Sequence, residues 1–285
     1  MLPFDYARPQ RLDEAVALLA AHENARVLAG GTDLTVGLRD GKIRPGIVVD
    51  IKRVIELAPA VAVDNGTVSV SATTPLSDVL LHDAVRKHFP ALVEAASVVG
   101  SAQIRHRATL AGNVCNASPA ADTAPVLVMH DAALTVQGPD GDREIAVVDF
   151  IQGNRRTDLG RGELVTRVRL PVPSRPYGAA FERMTRRRGV DLATINVSCM
   201  ADKLGVTFVL GAVAPVPVVV RDDSGALSQG ADPADRAAAL DAVADRATPI
   251  SDVRASAEYR RAMVGVLLRR ALHRAQANLA TQEER

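Results

Sequence analysis

The 285-residue chain has no tryptophan, only three tyrosines and five phenylalanines, and only two cysteines. So few aromatic rings exclude a base-stacking platform for nucleic acid and a large aromatic cage for a substrate. Cys115 and Cys199 are too few to hold an iron–sulfur cluster, which usually takes four protein ligands, so any one-electron relay must lie outside this chain. The six histidines show no CxxC or HxxxH spacing, and no protein-bound metal is expected. An excess of charge of one sign is also missing. With 34 basic against 33 acidic residues, nothing draws the chain to nucleic acid or an anionic membrane. Nowhere do eighteen apolar residues run together, and Met1 to Tyr6 lacks the basic and apolar regions of a secretory signal. No membrane insertion and a cytoplasmic location are expected. No Ser/His/Asp or Cys/His set and no hydrolytic carboxylate pair stands out, so no catalytic side chain is assigned.

What the chain does have is apolar material, 47% of its residues, enough for well-buried cores in two or three compact units. Leu12, Val16 and Leu19 recur at helical spacing, and Arg26-Val27-Leu28 and Ile47 to Ile51 read as buried strands. Val68 and Val70 alternate with serines after the turn Asn65-Gly66. A helix capped by Thr74 is expected from Pro75 onward, and another from Pro119 to Met129. Leu134-Thr135-Val136 with Pro139-Asp140-Gly141 reads as a hairpin arm, and Leu164 to Leu170 as an alternating strand. Pro171, Pro173 and Pro176 mark a boundary, because proline removes ladder donors. Beyond it lie strands Ile195–Met200 and Val206–Val213, then helices Pro233–Arg246 and Glu258 to about Leu279. The divisions expected are residues 1–57, 58–173 and 177–285.

Two segments carry chemistry. Ala29-Gly30-Gly31-Thr32-Asp33 places paired glycines between a strand and a helical turn, where backbone amides can converge on a phosphate. Taken alone, the same residues equally make a plain tight turn. The pattern is neither GxGxxG nor a P-loop. The second segment runs from Gln103 to Asp122 and gathers small, hydroxyl, amide and carboxylate residues. Thr109 and Asn113 suit phosphate, and Asp122 suits sugar hydroxyls. It reads equally as a loop that caps its own backbone, with Ser118 capping a helix begun by Pro119.

Ala29 to Leu34 together with Ile104 to Asp122, some eighty residues apart, resembles the two FAD-binding signatures of the medium subunits of xanthine dehydrogenase and carbon monoxide dehydrogenase. The similarity continues through Phe181-Glu182-Arg183 and Arg186 to Ala193. It implies an α+β protein: a PCMH-type FAD-binding domain, like that of vanillyl-alcohol oxidase, of two α/β subdomains, followed by a C-terminal α+β domain of the CO dehydrogenase flavoprotein type. By this resemblance Val27, Leu28, Ala29, Gly30, Gly31, Thr32, Asp33 and Leu34 hold the pyrophosphate and part of the flavin. Ile104, Thr109, Ala111, Gly112 and Asn113 complete the cradle, and Asp122 binds a hydroxyl of FAD. Either Leu164 or Val165 lies against the cofactor. Thr32 stands where covalent members of the wider superfamily often carry histidine, which implies non-covalent FAD, and His106 occupies a different motif position.

The chain departs from the family pattern twice. Ala111 replaces the first of a usual glycine pair, adding a methyl group near the phosphates. Arg183 replaces a usual lysine, keeping a cation that can balance charge on reduced flavin but changing its geometry. The resemblance implies a flavin subunit that takes electrons from an iron–sulfur small subunit carrying 2Fe-2S clusters. A large subunit would hold the molybdenum cofactor, and NAD, oxygen or another carrier would be the acceptor. The alternative is a free-standing, non-covalent FAD-dependent oxidase or dehydrogenase. The run Arg186-Arg187-Arg188 reads as a solvated or partner-facing surface.

Overall fold

The computed structural model describes residues 2–283, which divide into two compact units. The first comprises residues up to 84, 100–117 and 132–171. Its opening sheet contains β1 (Asp5–Ala7), β2 (Ala25–Leu28) and β3 (Ile47–Asp50), all parallel, in the order β1-β3-β2. The central strand β3 is buried along its whole length, which is why it reads as a continuous apolar run rather than an alternation. Helix Leu12–Ala21 covers the sheet with Ala15, Val16 and Leu19, and Glu14 accepts from the amides of Gln10 and Arg11 at its start.

The second sheet of this unit is antiparallel. It contains β4 (Val61–Asp64), β5 (Thr67–Ser71), β6 (Ala133–Gly138), β7 (Gly141–Ala146) and β10 (Leu164–Pro171), in the order β4-β5-β10-β6-β7. The short pair β8 (Ile151–Gly153) and β9 (Arg156–Thr157) stands apart. Asn65-Gly66 turns the β4–β5 hairpin with both residues at positive φ, the geometry a two-residue hairpin favours. Leu164 joins Ala15, Leu19, Ile47, Val49 and Ile51 in one core cluster. The helix expected after Thr74 is Leu76–Leu81, but Thr74 does not cap it. Its hydroxyl is bonded to the amide and carbonyl of Ala60 instead, pinning the entry to β4.

The second unit comprises 85–99, 118–131 and 172–285. Strands β11 (Gly178–Met184), β12 (Ile195–Asp202), β13 (Gly205–Gly211) and β14 (Val218–Asp222) form an antiparallel meander. One face packs on helix Ala257–Glu283 through Val197, Cys199, Phe208, Leu210, Val264, Leu267 and Ala271. Gly178 lies so close to the Ala275 carbonyl that a Cβ would overlap it. The other face carries Asn196 and Ser198, fully buried, and meets helix Thr123–Met129.

That helix starts four residues later than expected. The Pro119 carbonyl accepts from the amide of Ala212, and it is Pro125 that occupies the first turn, where a missing N–H costs little. Strand β13 likewise stops at Gly211, short of Val213, because Ala212 takes a φ of 60°. Arg260 is the largest fully buried side chain of the unit. Its guanidinium donates to the carbonyls of Thr194 (2.6 Å) and Ala212 (3.0 Å) and to Asp252 (2.6 Å). Helix Pro233–Ala244 is capped by Asp232, which accepts from Ala234 and Asp235.

Candidate functional site

In the first unit, the glycine segment leaves the carboxyl end of β2, the edge of a parallel sheet where α/β proteins commonly bind ligands. Val27, Leu28, Ala29, Gly30, Gly31, Thr32 and Leu34 are each only partly buried, and Asp33 is exposed. Gly31 has a φ of 75°, a left-handed conformation that favours glycine, and its carbonyl accepts from both the amide and the hydroxyl of Thr35. Among the described residues, the amides of Gly30, Gly31, Thr32 and Asp33 donate to no carbonyl or side chain. Consecutive unsatisfied amides in such a turn form an anion-binding concavity.

The second segment meets this loop directly. Gly30 abuts the Arg107 carbonyl and the Ala108 backbone, leaving no room for a Cβ. Pro75 and Thr109 form an isolated β-bridge, and the amide of Leu76 donates to the Ala108 carbonyl at 2.8 Å. What the sequence presents as a long polar loop holds two short helices, Ala102–Arg105 and Leu110–Cys115. Thr109, itself buried, caps the latter, its Oγ1 accepting from the Gly112 amide at 3.0 Å. Gly112 is exposed and Asn113 half-buried, whereas Ala111 is buried. The methyl group that distinguishes Ala111 from glycine therefore points to the packed side of its helix. Ile104 is exposed. On β10, Leu164 and Val165 are both buried, with Leu164 committed to the core cluster.

One group at this sheet edge escaped the sequence reading. Asp50, paired in register with Leu28, is almost wholly buried, and it accepts from Tyr6 (2.5 Å) and from the Lys52 ammonium (2.7 Å). Burial alone would raise its pKa, but the hydrogen bonds from Lys52 and Tyr6 outweigh it and hold the carboxyl below its ordinary value. The only hint in sequence was an acid ending the apolar run Ile47-Val48-Val49.

In the second unit, Asp122 and Arg183 are brought together. Arg183 on β11 and Asn196 on β12 are direct cross-strand partners and so share a face of the sheet. Both reach Asp122, Arg183 through Nη1 to Oδ2 at 2.7 Å and Asn196 through Nδ2 to Oδ1 at 3.1 Å. Asn196 also donates to the Ala121 carbonyl at 3.3 Å. Gly211 makes room for it, since a Cβ there would collide with the Asn196 side-chain oxygen. Burial pushes the Asp122 carboxyl up to about 6, against the opposing pull of Arg183 and Asn196. Asn196 had no signal in sequence beyond being a polar residue in an apolar strand. Among the described residues, no group of three or more His, Cys, Asp or Glu is placed to hold a metal ion, and no helix is long and apolar enough to cross a membrane.

A glycine loop at the carboxyl edge of a parallel sheet, locked to a second loop in the same unit, suits an anionic cofactor such as a nucleotide in a chain of mixed α+β architecture. Residues 2–173 match the model of the FAD binding domain in molybdopterin dehydrogenase, residues 179–275 match the CO dehydrogenase flavoprotein C-terminal domain, and the chain belongs to this family of FAD-binding medium subunits. It is 35% identical to the carbon monoxide dehydrogenase medium chain of Afipia carboxidovorans, over 97% of this chain and 99% of that one. It is 31% identical to the xanthine dehydrogenase FAD-binding subunit of Escherichia coli O157:H7, over 75% and 77%. Among solved structures, a chain of reconstituted CO dehydrogenase from Oligotropha carboxidovorans superposes with a TM-score of 0.90 at 32% identity, covering 98% of this chain and all of that one.

Proposed function

We propose that this chain is the electron-transfer flavin subunit of a molybdenum-containing hydroxylase or dehydrogenase. It takes electrons from an iron–sulfur partner subunit and passes them to an acceptor such as NAD or oxygen, in the cytoplasm. One observation carries the reading: Gly30 abuts Arg107, which joins both FAD signatures into one surface where four consecutive amides lack an internal acceptor. That donor set suits the diphosphate of FAD, and the half-exposed Val27, Leu28 and Leu34 suit an apolar ring system.

When bound non-covalently, FAD supplies the exchange between one-electron and two-electron carriers. The chain's own residues bind and orient it. Ala29 to Asp33 present amides to phosphate, with Thr109, Ala111, Gly112 and Asn113 completing the cradle and Ile104 beside them. Of Leu164 and Val165, both buried on β10, one lies against the cofactor. In the second unit, Asp122 is assigned to a hydroxyl-bearing part of FAD and Arg183 to balancing negative charge on the reduced ring.

Absorption spectra of the chain, purified with and without its co-expressed partner subunits, test this. Flavin bands that leave with the supernatant on acid precipitation, and iron–sulfur absorbance present only with the partners, are expected. Stopped-flow reoxidation by NAD or by oxygen then identifies the acceptor. Steady turnover by the isolated chain would instead establish a free-standing flavoenzyme. No flavin after incubation with FAD would overturn the assignment.

A further inference from the structure

Two regions that match different family domains meet inside the second unit. Asp122 falls within the FAD-binding match, residues 2–173, whereas Arg183 and Asn196 fall within the C-terminal match, residues 179–275. The Asp122 carboxylate is divided between the two: Oδ2 takes the Arg183 guanidinium at 2.7 Å and Oδ1 the Asn196 amide at 3.1 Å. These donors differ in what else they hold. Arg183 spreads over three segments, reaching also the Val98 carbonyl at 3.3 Å and the Asp191 carbonyl at 3.5 Å. Asn196 commits its side-chain nitrogen to a single segment, Asp122 Oδ1 and the neighbouring Ala121 carbonyl.

Asn196 makes these bonds at a disadvantage. It is fully buried on the interior strand β12, and its Oδ1 has no partner among the described residues. Its neighbour on β13 has to be Gly211, because a Cβ there would lie 2.1 Å from that oxygen. Turning the amide over brings no relief, since the oxygen would then face Asp122 and the Ala121 carbonyl. A buried acceptor without a partner is unfavourable, and what offsets it at this position is the pair of bonds to residues 121 and 122.

Those bonds set an orientation. A carboxylate held only by Arg183 could still swing about that contact. A second bond, from a rigid interior strand to the other oxygen, fixes the carboxylate plane and leaves each oxygen with a lone pair in a set direction. Resting on the reading of Asp122 as a ligand to a hydroxyl of FAD, we propose that Asn196 is a positioning residue for the cofactor: it holds the Asp122 carboxylate in the plane from which it accepts that hydroxyl. The C-terminal domain thereby takes part in FAD binding through a side chain that need not touch FAD.

A double-mutant cycle on the full chain tests this. FAD is removed by dialysis against bromide and titrated back, and its dissociation constant is read from flavin fluorescence for wild type, Asn196→Ala, Asp122→Ala and the double variant. Each single variant is expected to weaken FAD binding by about tenfold or more. Once Asp122 is gone, Asn196→Ala is expected to add less than about twofold. Equal loss in both backgrounds would make the role of Asn196 one of packing and overturn the proposal. Wild-type affinity in Asn196→Ala, with Asp122→Ala weakened, overturns it too and leaves the reading of Asp122 intact. Wild-type affinity in Asp122→Ala overturns that reading and the proposal together, and a wild type that binds no FAD overturns the flavin assignment itself. If circular dichroism shows Asn196→Ala unfolded, Asn196→Ser, whose shorter side chain cannot span both acceptors, takes its place in the cycle. Failure of both to fold would make Asn196 a structural residue and overturn the proposal.

Discussion

Gly30 and Arg107 are in backbone contact, the α-carbon of one seated against the carbonyl of the other with no space for a methyl group. The contact joins two loops separated by some eighty residues of sequence. It predicts that Gly30→Ala forces them apart. Overpacking of this kind costs about 1–3 kcal/mol, readable as a lower urea midpoint, and the ratio of FAD to protein after purification is expected to fall with it. A variant with full flavin content would show that the two loops need not touch for binding.

Arg260 predicts a larger effect on stability alone. Its guanidinium satisfies two backbone carbonyls and Asp252 inside the second unit. Arg260→Met keeps the aliphatic bulk but leaves Asp252 with one partner fewer and the Thr194 and Ala212 carbonyls bare. A loss of about 3–5 kcal/mol is expected, measured by denaturant unfolding. A change under 1 kcal/mol would mean that water reaches these carbonyls and replaces the arginine.

These two residues also show what a sequence can reveal. The Gly30-Gly31 pair announced a tight turn with free amides, because glycine at such a place has few other uses, and the helices and core strands followed from their apolar periods. Strands β11 and β14 were not legible, since Gly178-Ala179-Ala180 and Pro217-Val218 carry no clear alternation and gain their strand state by pairing with β12 and β13. Thr74 and Pro119 looked like helix starts by local rules, but both are taken by distant backbone groups, of Ala60 and Ala212. Asn196 was invisible for the same reason, since Asp122 and the Ala121 carbonyl come near it only through the tertiary fold. Asp50 has a local partner in Lys52, but its burial and its bond with Tyr6 arise only from the fold.

His130 predicts acid lability. It lies buried between the rings of Phe89 (centroids 5.0 Å) and Tyr177 (5.5 Å), and neither ring nitrogen has a partner among the described residues. Burial pushes its pKa down to about 3. As pH falls below the ordinary value of 6.5, the unfolded chain takes up a proton that the folded one refuses. The stability present above that pH is therefore lost progressively, by about 3 kcal/mol at pH 4. His130→Phe fills the same space without titrating and is expected to remove this component of the stability–pH curve.

Asp122 predicts the opposite slope in the same pH range, which makes the two separable. Its folded pKa is raised to about 6 from an ordinary 3.8, mainly by burial, so between these values the unfolded chain ionises while the folded chain still holds its proton. The contribution is fully present below about pH 4 and lost as pH rises through 6, a difference of about 3 kcal/mol that then stays constant. Asp122→Asn cannot titrate; its single carbonyl oxygen fills only one of the two acceptor places that Asn196 and Arg183 now use, and its amide meets the other donor, a cost that does not vary with pH. Subtracting its stability curve from that of the wild type should therefore give a difference that declines between pH 4 and 7 and is flat above. A flat difference throughout would mean that the short ion pair with Arg183 keeps the carboxylate ionised in the folded chain, and that its burial is fully compensated.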